Sequence, residues 1–176
     1  QIEVSGPDRD LHSGIYGGAV VNPCNAICEI ISRLKDSDGR VTIPGFYDTV
    51  SVPTDAERAK MAERPFNPEA YKKSVGVDAL AGEKGFTTLE SVGIRPSLDV
   101  NGIWGGYTGE GAKTILPSKA SAKISMRLVP YQKAEDIAKL AIDYIRSIAP
   151  EGVKVTAEYL HGGEAYVSPL DTPEYL

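Results

Sequence analysis

The feature that most constrains the fold is the strict alternation of residues 120–128. Every even-numbered position in this stretch is apolar and every odd-numbered position is polar. Because successive side chains of a strand point to opposite faces, the pattern predicts a β-strand with one face in the core and the other in solvent. Antiparallel sheets are the usual setting for such one-sided strands. The rest of the chain must therefore supply the partner strands and the elements that cover the apolar face.

Three more strands and two helices follow from similar patterns. Weaker alternation predicts strands at 1–6, 97–104 and 153–159. Helical spacing of apolar residues begins after the Asn22-Pro23 pair, a favoured helix start, and recurs at 132–148. The order strand-helix-strand-strand-helix-strand predicts an α+β fold of the ferredoxin-like βαββαβ type. We expect a four-stranded antiparallel sheet in the order 4-1-3-2, with both helices on one face.

Local patterns predict details of burial and an insertion. The expected buried stripe of the first helix comprises Cys24, Ile27, Cys28, Ile31 and Leu34. The expected apolar face of the second strand comprises Leu98, Val100, Gly102 and Trp104. Residues 41–95 mix Pro, Gly and aromatic residues with short helical signals, such as the capping box of Thr54 and Glu57. We interpret 41–95 as a mixed insertion within a single domain, 1–176.

Composition argues against several classes of function. A net charge of -5 and a pI near 5.1 argue against a nucleic-acid-binding face, which needs clustered Lys and Arg. No run of residues approaches the length of a membrane span, and no signal peptide opens the chain. The spacing of Cys24 and Cys28 fits neither a disulfide framework nor a zinc site. We therefore expect a reducing, cytoplasmic setting, with neither nucleic acid nor a membrane as a partner.

The glycine-rich run GGYTGEGAKTILP at 105–117 resembles a phosphate-binding loop only superficially. A P-loop requires G-x-x-x-x-G-K-[ST] between a strand and a helix. Here one extra residue separates Gly111 from Lys113, and an alternating strand follows instead of a helix. We predict a turn between two strands in which Lys113 stays solvated.

Few residues of this chain could carry chemistry. His12 and His161 are the only histidines, too few for a self-contained metal site, which wants three or four converging ligands. His12 lies in a polar, Gly-flanked loop, where it is either a hydrogen-bonded loop residue or a functional group. Thr114 could cap a turn, and Arg127 could be a solvated strand residue paired with an acid. His161 reads as a turn residue, and we assign it no role.

The predicted topology separates these candidates. The first and third strands are antiparallel, so the loop with His12 lies near the start of the third strand, close to Thr114. Arg127 lies at the opposite end of that strand.

Four long stretches carry a resemblance that spans nearly the whole chain: DRDLHSGIYGGAVVNP, VTIPGFYDTV, LDVNGIWGGYTGEGAKTILPSKASAKISMRLVP and HGGEAYVSP. Together they resemble the dimerisation, or lid, domain of the di-zinc metallopeptidase family that includes carnosine dipeptidase, aminoacylase and glutamate carboxypeptidase. The insertion after the first helix is most similar to the dipeptidase branch. The resemblance implies a larger hydrolase in which a separate catalytic domain, absent from this chain, holds two zinc ions.

The resemblance also implies a homodimer and three site residues. By resemblance, His12 crosses to the partner's active site and stabilises the oxyanion of a tetrahedral intermediate. Thr114 matches a residue that binds the substrate near its C-terminal carboxylate, and Arg127 matches the arginine that grips this carboxylate. The expected substrate is a peptide or an acyl amino acid. Because the topology places Arg127 at the far end of the sheet, we expect it to serve its own subunit while His12 and Thr114 serve the partner.

An alternative of another class stays open. The chain could be a free-standing ferredoxin-like module that binds a small ligand or self-associates without catalytic activity. In the leading interpretation the chain is an excised, catalytically inert piece of a longer protein, and its dimer pairs the edges of two sheets.

Overall fold

A computed structural model of the chain describes residues 1–166. Its elements, in chain order, are β1 (Ile2–Ser5), β2 (Leu11–His12), α1 (Ser13–Tyr16), α2 (Pro23–Ser32), α3 (Asp55–Ala62), α4 (Pro68–Val75), α5 (Thr88–Gly93), β3 (Ser97–Gly105), β4 (Ile115–Leu116), β5 (Lys119–Arg127), α6 (Ala134–Ser147) and β6 (Lys154–Ala157). The last three residues of the stretch HGGEAYVSP lie outside the described residues.

A four-stranded antiparallel sheet forms the centre of an α+β fold, which confirms the coarse prediction. The strands lie in the order β3-β5-β1-β6. The four strands that were expected from the sequence, 1 to 4, correspond to β1, β3, β5 and β6. The expected order 4-1-3-2 is therefore β6-β1-β5-β3, which has the same neighbouring strands as the observed order. The structure adds a feature that the sequence patterns did not predict, a separate two-stranded sheet of β2 and β4.

One hydrophobic core joins the sheet to α2 and α6. Its most buried members include Ile2 and Val4 from β1, Ile27 from α2 and Ile145 from α6, all at most 2% exposed. Phe46, from the start of the predicted insertion, joins the same core with no exposed surface. The insertion is therefore tied to the sheet by its first residues.

The expected stripe of α2 is only partly correct. Ile27 and Leu34 are buried, but Cys28 is exposed, and Cys24 and Ile31 are only partly buried. The helix instead turns Ala26 and Ile30 inward, at 2% and 0% exposure. Both stripes have helical spacing, so the pattern alone cannot choose between them. The face that carries the small Ala26 lies against the sheet, where a helix that approaches closely needs a short side chain.

The expected face of the second strand is also wrong beyond its midpoint. Leu98 and Val100 pair with the inward-facing Met126 and Ile124, as expected. The register then slips between Val100 and Gly102, so that Trp104 pairs with Ser121 on the outward face. This irregularity is a β-bulge, which adds one residue to one strand and reverses the facing of everything that follows.

The insertion folds as three short helices, α3 to α5. Capping boxes begin α3 at Thr54–Glu57 and α5 at Thr87–Glu90, and Asn67 caps α4. Three ion pairs to two buried carboxylates hold this region: Arg95 and Arg40 with Glu83, and Arg58 with Glu90. Among the helices of residues 1–166, none combines the length and the apolar character that a membrane crossing requires.

Candidate functional site

The two short strands β2 and β4 bring His12 and Thr114 together. His12 pairs with Ile115, and the backbone N–H of Ser13 donates to the carbonyl oxygen of Thr114 at 2.9 Å. The Nε2 atom of His12 and the Oγ1 atom of Thr114 are 3.5 Å apart. Both residues are exposed to solvent. The structure thus places the two sequence-predicted residues side by side at one end of the sheet.

The imidazole of His12 is held from its other side by the start of α1. His12 is the N-cap of this helical turn, with extended backbone angles φ -75° and ψ 121°. Its Nδ1 atom accepts a hydrogen bond from the backbone N–H of Gly14 at 2.9 Å. The ring therefore faces solvent with one nitrogen engaged by the backbone and the other turned toward Thr114.

A residue that the sequence patterns did not single out, Asp10, anchors this loop. Its Oδ1 atom accepts from the backbone N–H of Ser118 at 2.9 Å, immediately before β5. The backbone N–H of Gly6 donates to the carbonyl oxygen of Ser118, also at 2.9 Å. A short polar side chain that bonds a backbone amide is common for Asp in loops, and that tendency is the signal that could have identified it. The loop that carries His12 is consequently pinned to the start of the third core strand.

The glycine-rich run forms a turn between β3 and β4, as predicted. Gly106 and Gly111 have φ angles of 71° and 80°, in the left-handed region where glycine is favoured. The hydroxyl of Tyr107 donates to the carbonyl oxygen of Glu110 at 2.8 Å, which closes the turn on itself. Lys113 is exposed, with its Nζ atom 5.5 Å from the centroid of the Tyr107 ring. Because a strand and not a helix follows, the run lacks the architecture of a P-loop.

Arg127 lies at the other end of the sheet. It is the last residue of β5 and pairs with Ser97, the first residue of β3. The nine residues of β5 span eight strand steps, and about 3.3 Å per step gives roughly 26 Å between its ends. Within residues 1–166 the exposed guanidinium makes no ion pair or hydrogen bond, so the alternative of a strand arginine paired with an acid has no support there. The structure does not bring Arg127 together with His12 and Thr114.

A groove of about 730 Å³ opens at the Arg127 end. Its apolar wall includes Ile124 and Met126 of β5 and Ile137 of α6, and Lys123 and Arg127 lie at its polar side. His161, for which no role is predicted, also lines this groove and so lies at the opposite end of the sheet from His12. The two histidines therefore cannot act on one bound molecule within a single copy of this chain.

The described residues hold no metal cluster, and burial disfavours the reactive form of one of the two cysteines. In residues 1–166 no group of three or more His, Cys, Asp or Glu residues could hold a metal ion. Both cysteines are free, and burial raises the pKa of the Cys24 thiol, which disfavours the nucleophilic thiolate. What the described residues can supply is hydrogen-bond donors and a positive charge, from His12, Thr114 and Arg127.

Comparisons with known proteins agree on one kind of protein. Residues 1–153 match the family described as peptidase dimerisation domain. The chain is 34% identical over 173 residues to the Cys-Gly metallodipeptidase DUG1 of Candida albicans, a match that covers 96% of this chain and 35% of the relative. The chain spans about a third of the length of the curated relatives it matches.

Solved structures show the same similarity. Human carnosine dipeptidase 1 superposes with a TM-score of 0.83 at 27% identity, over 99% of this chain and 38% of that one. A metallo-carboxypeptidase of the M20 family from Sulfolobus solfataricus superposes with a TM-score of 0.80 at 32% identity, over 99% of this chain and 46% of that one. In each case the similarity takes in almost all of this chain and less than half of the other protein.

Proposed function

The chain belongs to the peptidase dimerisation domain family, and from that premise we propose that it is the lid of a larger metallodipeptidase. In this proposal it joins two subunits and supplies residues that clamp the substrate. The relatives named as dipeptidases support a reaction that hydrolyses a peptide or amide bond next to a free carboxylate. Within the fold, we infer that β1, α2, β3, β5, α6 and β6 form a ferredoxin-like unit, because both helices share one core with the sheet.

The observation that carries this proposal is the pairing of His12 with Thr114. An exposed imidazole and an exposed hydroxyl lie 3.5 Å apart on a loop pinned to the sheet. Preorganised donors of this kind stabilise negative charge that develops in a transition state. His12 would donate to the oxyanion of the tetrahedral intermediate, and Thr114 would hold the substrate beside it.

Arg127 would grip the C-terminal carboxylate of the substrate. Its guanidinium is exposed and can make the two parallel hydrogen bonds that a carboxylate accepts from arginine. Because roughly 26 Å of strand separates it from the His12 end, one lid cannot present both groups to one small substrate. We therefore propose that His12 and Thr114 serve the partner's active site, while Arg127 serves the site of its own subunit.

The metal of the proposed enzyme would belong to another part of the parent protein. The described residues of this chain do not offer a ligand set for it. We keep two zinc ions in a separate catalytic domain as a proposal, supported by relatives named as metallopeptidases. The chain itself would contribute binding and charge stabilisation, not metal ligation.

The proposed partner is a second copy of the same chain, joined at a sheet edge. β3 is an edge strand and exposes Val100, Ile103 and Trp104 at 41%, 49% and 47%. Exposed apolar edge strands invite pairing with another strand, and most homodimers use the same patch twice. The free cysteines Cys24 and Cys28 support a reducing compartment, and hence our proposal of a cytoplasmic location.

The free-standing, non-catalytic module is the less favoured alternative. The chain is similar along almost its whole length to one part of longer dipeptidases, which is what a lid domain requires.

Mixed dimers of the parent protein test the proposal. One subunit carries His12→Ala, and the other carries a substitution in the catalytic domain that removes metal binding. If His12 acts across the interface, the His12→Ala lid serves the site that has already lost its metal. The other site keeps its metal and receives a wild-type His12, so it stays active. A dimer with both defects in one subunit and none in the other should then be inactive. Arg127→Ala provides the matched control, because a residue that serves its own subunit gives the reverse outcome in both dimers.

Two results would contradict the proposal. His12→Ala homodimers that keep wild-type kcat would exclude the oxyanion role, since removal of one such donor costs about 10²–10³ in kcat. His12 and Arg127 variants with the same pattern of complementation would exclude the division of the two residues between subunits.

A further inference from the structure

We propose that Gly14 is the positioning residue that fixes the tautomer of His12, so that Nε2 carries the proton and can donate it in a hydrogen bond. This inference rests on the proposed role of His12 and names the group that prepares it for that role. The requirement is chemical, because a neutral imidazole has one donor nitrogen and one acceptor nitrogen. Only the donor nitrogen stabilises an oxyanion.

The hydrogen bond at Nδ1 determines the tautomer of His12. The backbone N–H of Gly14 donates to Nδ1 of His12 at 2.9 Å, a normal length for a bond of this kind. A nitrogen that accepts a hydrogen bond uses its lone pair and carries no proton. The proton of the neutral ring must then reside on Nε2.

The other ring nitrogen, Nε2, is left for a substrate. Its neighbour is Oγ1 of Thr114 at 3.5 Å, which is at the long limit for a hydrogen bond. The imidazole is exposed. The Nε2–H group is therefore only loosely engaged within the chain, and it is free to donate to a group on a bound substrate.

Residue 14 is a glycine because the imidazole leaves no room for a side chain there. A Cβ atom at this position would lie 2.9 Å from Cε1 of His12, closer than real Cβ contacts, and 3.0 Å from Nδ1, tighter than most of them. The φ angle of Gly14 lies outside the left-handed region, so an alanine could adopt the backbone conformation. Gly18 is the opposite case, since its φ is 82° and a Cβ there would meet nothing. Glycine at 14 is thus needed for room beside the ring.

The imidazole is the group that moves when that room is lost. The backbone on both sides of the ring is fixed, because Ser13 N–H donates to Thr114 O and Asp10 accepts from Ser118 N–H. The imidazole, by contrast, can rotate about the side-chain bonds of His12 without any change in the backbone. An alanine at 14 would therefore displace the ring from the amide and leave the backbone in place.

Nitrogen NMR of the 176-residue chain tests the inference directly. With only two histidines, the ring signals of His12 are assigned by comparison with His161→Gln. At alkaline pH, where imidazole rings are neutral, we expect an unprotonated Nδ1, a protonated Nε2, and a coupling through the hydrogen bond between the Gly14 amide and Nδ1. Gly14→Ala should abolish that coupling and give a mixture of tautomers. Ser13→Ala is the matched control, since it adds no atom beside the imidazole and should leave the ring unchanged.

Kinetics of the parent protein give the functional readout. We expect Gly14→Ala to lower kcat at least about tenfold with little change in KM, a part of the 10²–10³ loss typical for removing an oxyanion donor. Ser13→Ala should keep the wild-type kcat.

The outcomes separate this inference from the function on which it rests. A wild-type ring protonated at Nδ1, or an unchanged tautomer in Gly14→Ala, overturns the role of Gly14 even if His12→Ala is inactive. The role is also overturned if Gly14→Ala changes the tautomer without changing kcat while His12→Ala is inactive. If His12→Ala keeps its activity, the proposed function fails whatever the NMR spectra show, and the functional part of this inference fails with it.

Discussion

At the scale of single residues, Arg127 is a charge without a partner within residues 1–166. We expect Arg127→Met in the parent protein to raise KM for a dipeptide by about 10- to 100-fold, because a hydrogen bond to a charged group contributes roughly 1.5–3 kcal/mol. For a dipeptide amidated at its C-terminus, which lacks the carboxylate, Arg127→Met should raise KM much less. Steady-state kinetics on both substrates measures the difference.

Lys123 supplies the control for this experiment. It lies on the same strand as Arg127 and is also exposed, so Lys123→Met removes the same charge four residues away. If Lys123→Met raised KM as much as Arg127→Met, the effect would reflect the net charge of the surface and not a specific contact.

The sequence predicted the neighbourhood of these residues better than their contacts. Antiparallel pairing of the first and third core strands was enough to place His12 near Thr114 and far from Arg127. The hydrogen bond from Gly14 to His12 could not be predicted, because it depends on the rotamer of one imidazole. Nothing in the alternation of apolar and polar residues encodes such a rotamer.

At the scale of elements, the insertion depends on buried charges. Arg95 is 7% exposed and donates to both carboxylate oxygens of Glu83, with distances of 2.8–2.9 Å. Its guanidinium also lies 4.3 Å from the ring centroid of Phe86. We expect Arg95→Met to lower the free energy of unfolding by about 3 kcal/mol, since it removes a charge-assisted pair and leaves the buried Glu83 with only the half-exposed Arg40 as its partner. Urea unfolding of the 176-residue chain measures this.

A surface pair nearby serves as the matched comparison. Lys84 and Asp38 are 3.3 Å apart, and both side chains are more than half exposed. Lys84→Met should change the free energy of unfolding by no more than about 1 kcal/mol. Equal losses in the two variants would show that burial does not set the contribution of these pairs.

The pH dependence of stability provides a separate test at Glu90. Hydrogen bonds from Arg58 and then from the Thr87 amide hold the pKa of this buried carboxyl below its ordinary value. The ionised Glu90 therefore makes its full contribution to the free energy of unfolding above the unfolded-state pKa of about 4.3. This contribution disappears as the pH falls through the lower folded-state pKa. We expect wild type to exceed Glu90→Gln in stability at pH 7 and the gap to shrink toward pH 3.

The exposed helical carboxylate Glu29 gives the control for this comparison. Glu29→Gln should open no comparable gap at either pH. If the difference in stability between wild type and Glu90→Gln stayed constant on acidification, the lowered pKa of Glu90 would be contradicted.

Helix starts were the most predictable elements, and strand facing was the least. Asn22, Thr54 and Asn67 all cap helices as their sequence signals indicate. The same type of signal at Thr87 and Glu90 begins α5 and could have located it. The bulge near Asn101 has no such signature, because an extra residue in one strand leaves the composition of the segment unchanged.

At the scale of the whole molecule, the exposed edge strand β3 is the proposed dimer contact. We expect Ile103→Lys to weaken dimerisation of the parent protein at least about tenfold, which corresponds to about 1.4 kcal/mol. A buried lysine without a partner is costly at an interface. Sedimentation velocity over a range of concentrations measures the change. Val52→Lys, at an 80% exposed position outside the sheet, should have no effect. An unchanged dimer in Ile103→Lys would exclude this edge.

The length of β5 has a consequence for how such an enzyme behaves in a cell. If each catalytic centre takes Arg127 from its own subunit and His12 from the partner, a separated subunit has no complete centre. Turnover per chain would then fall on dilution along the association curve, even for a subunit that stays perfectly folded. The specific activity would then depend on the expression level, so the abundance of the protein would regulate its activity without a bound effector.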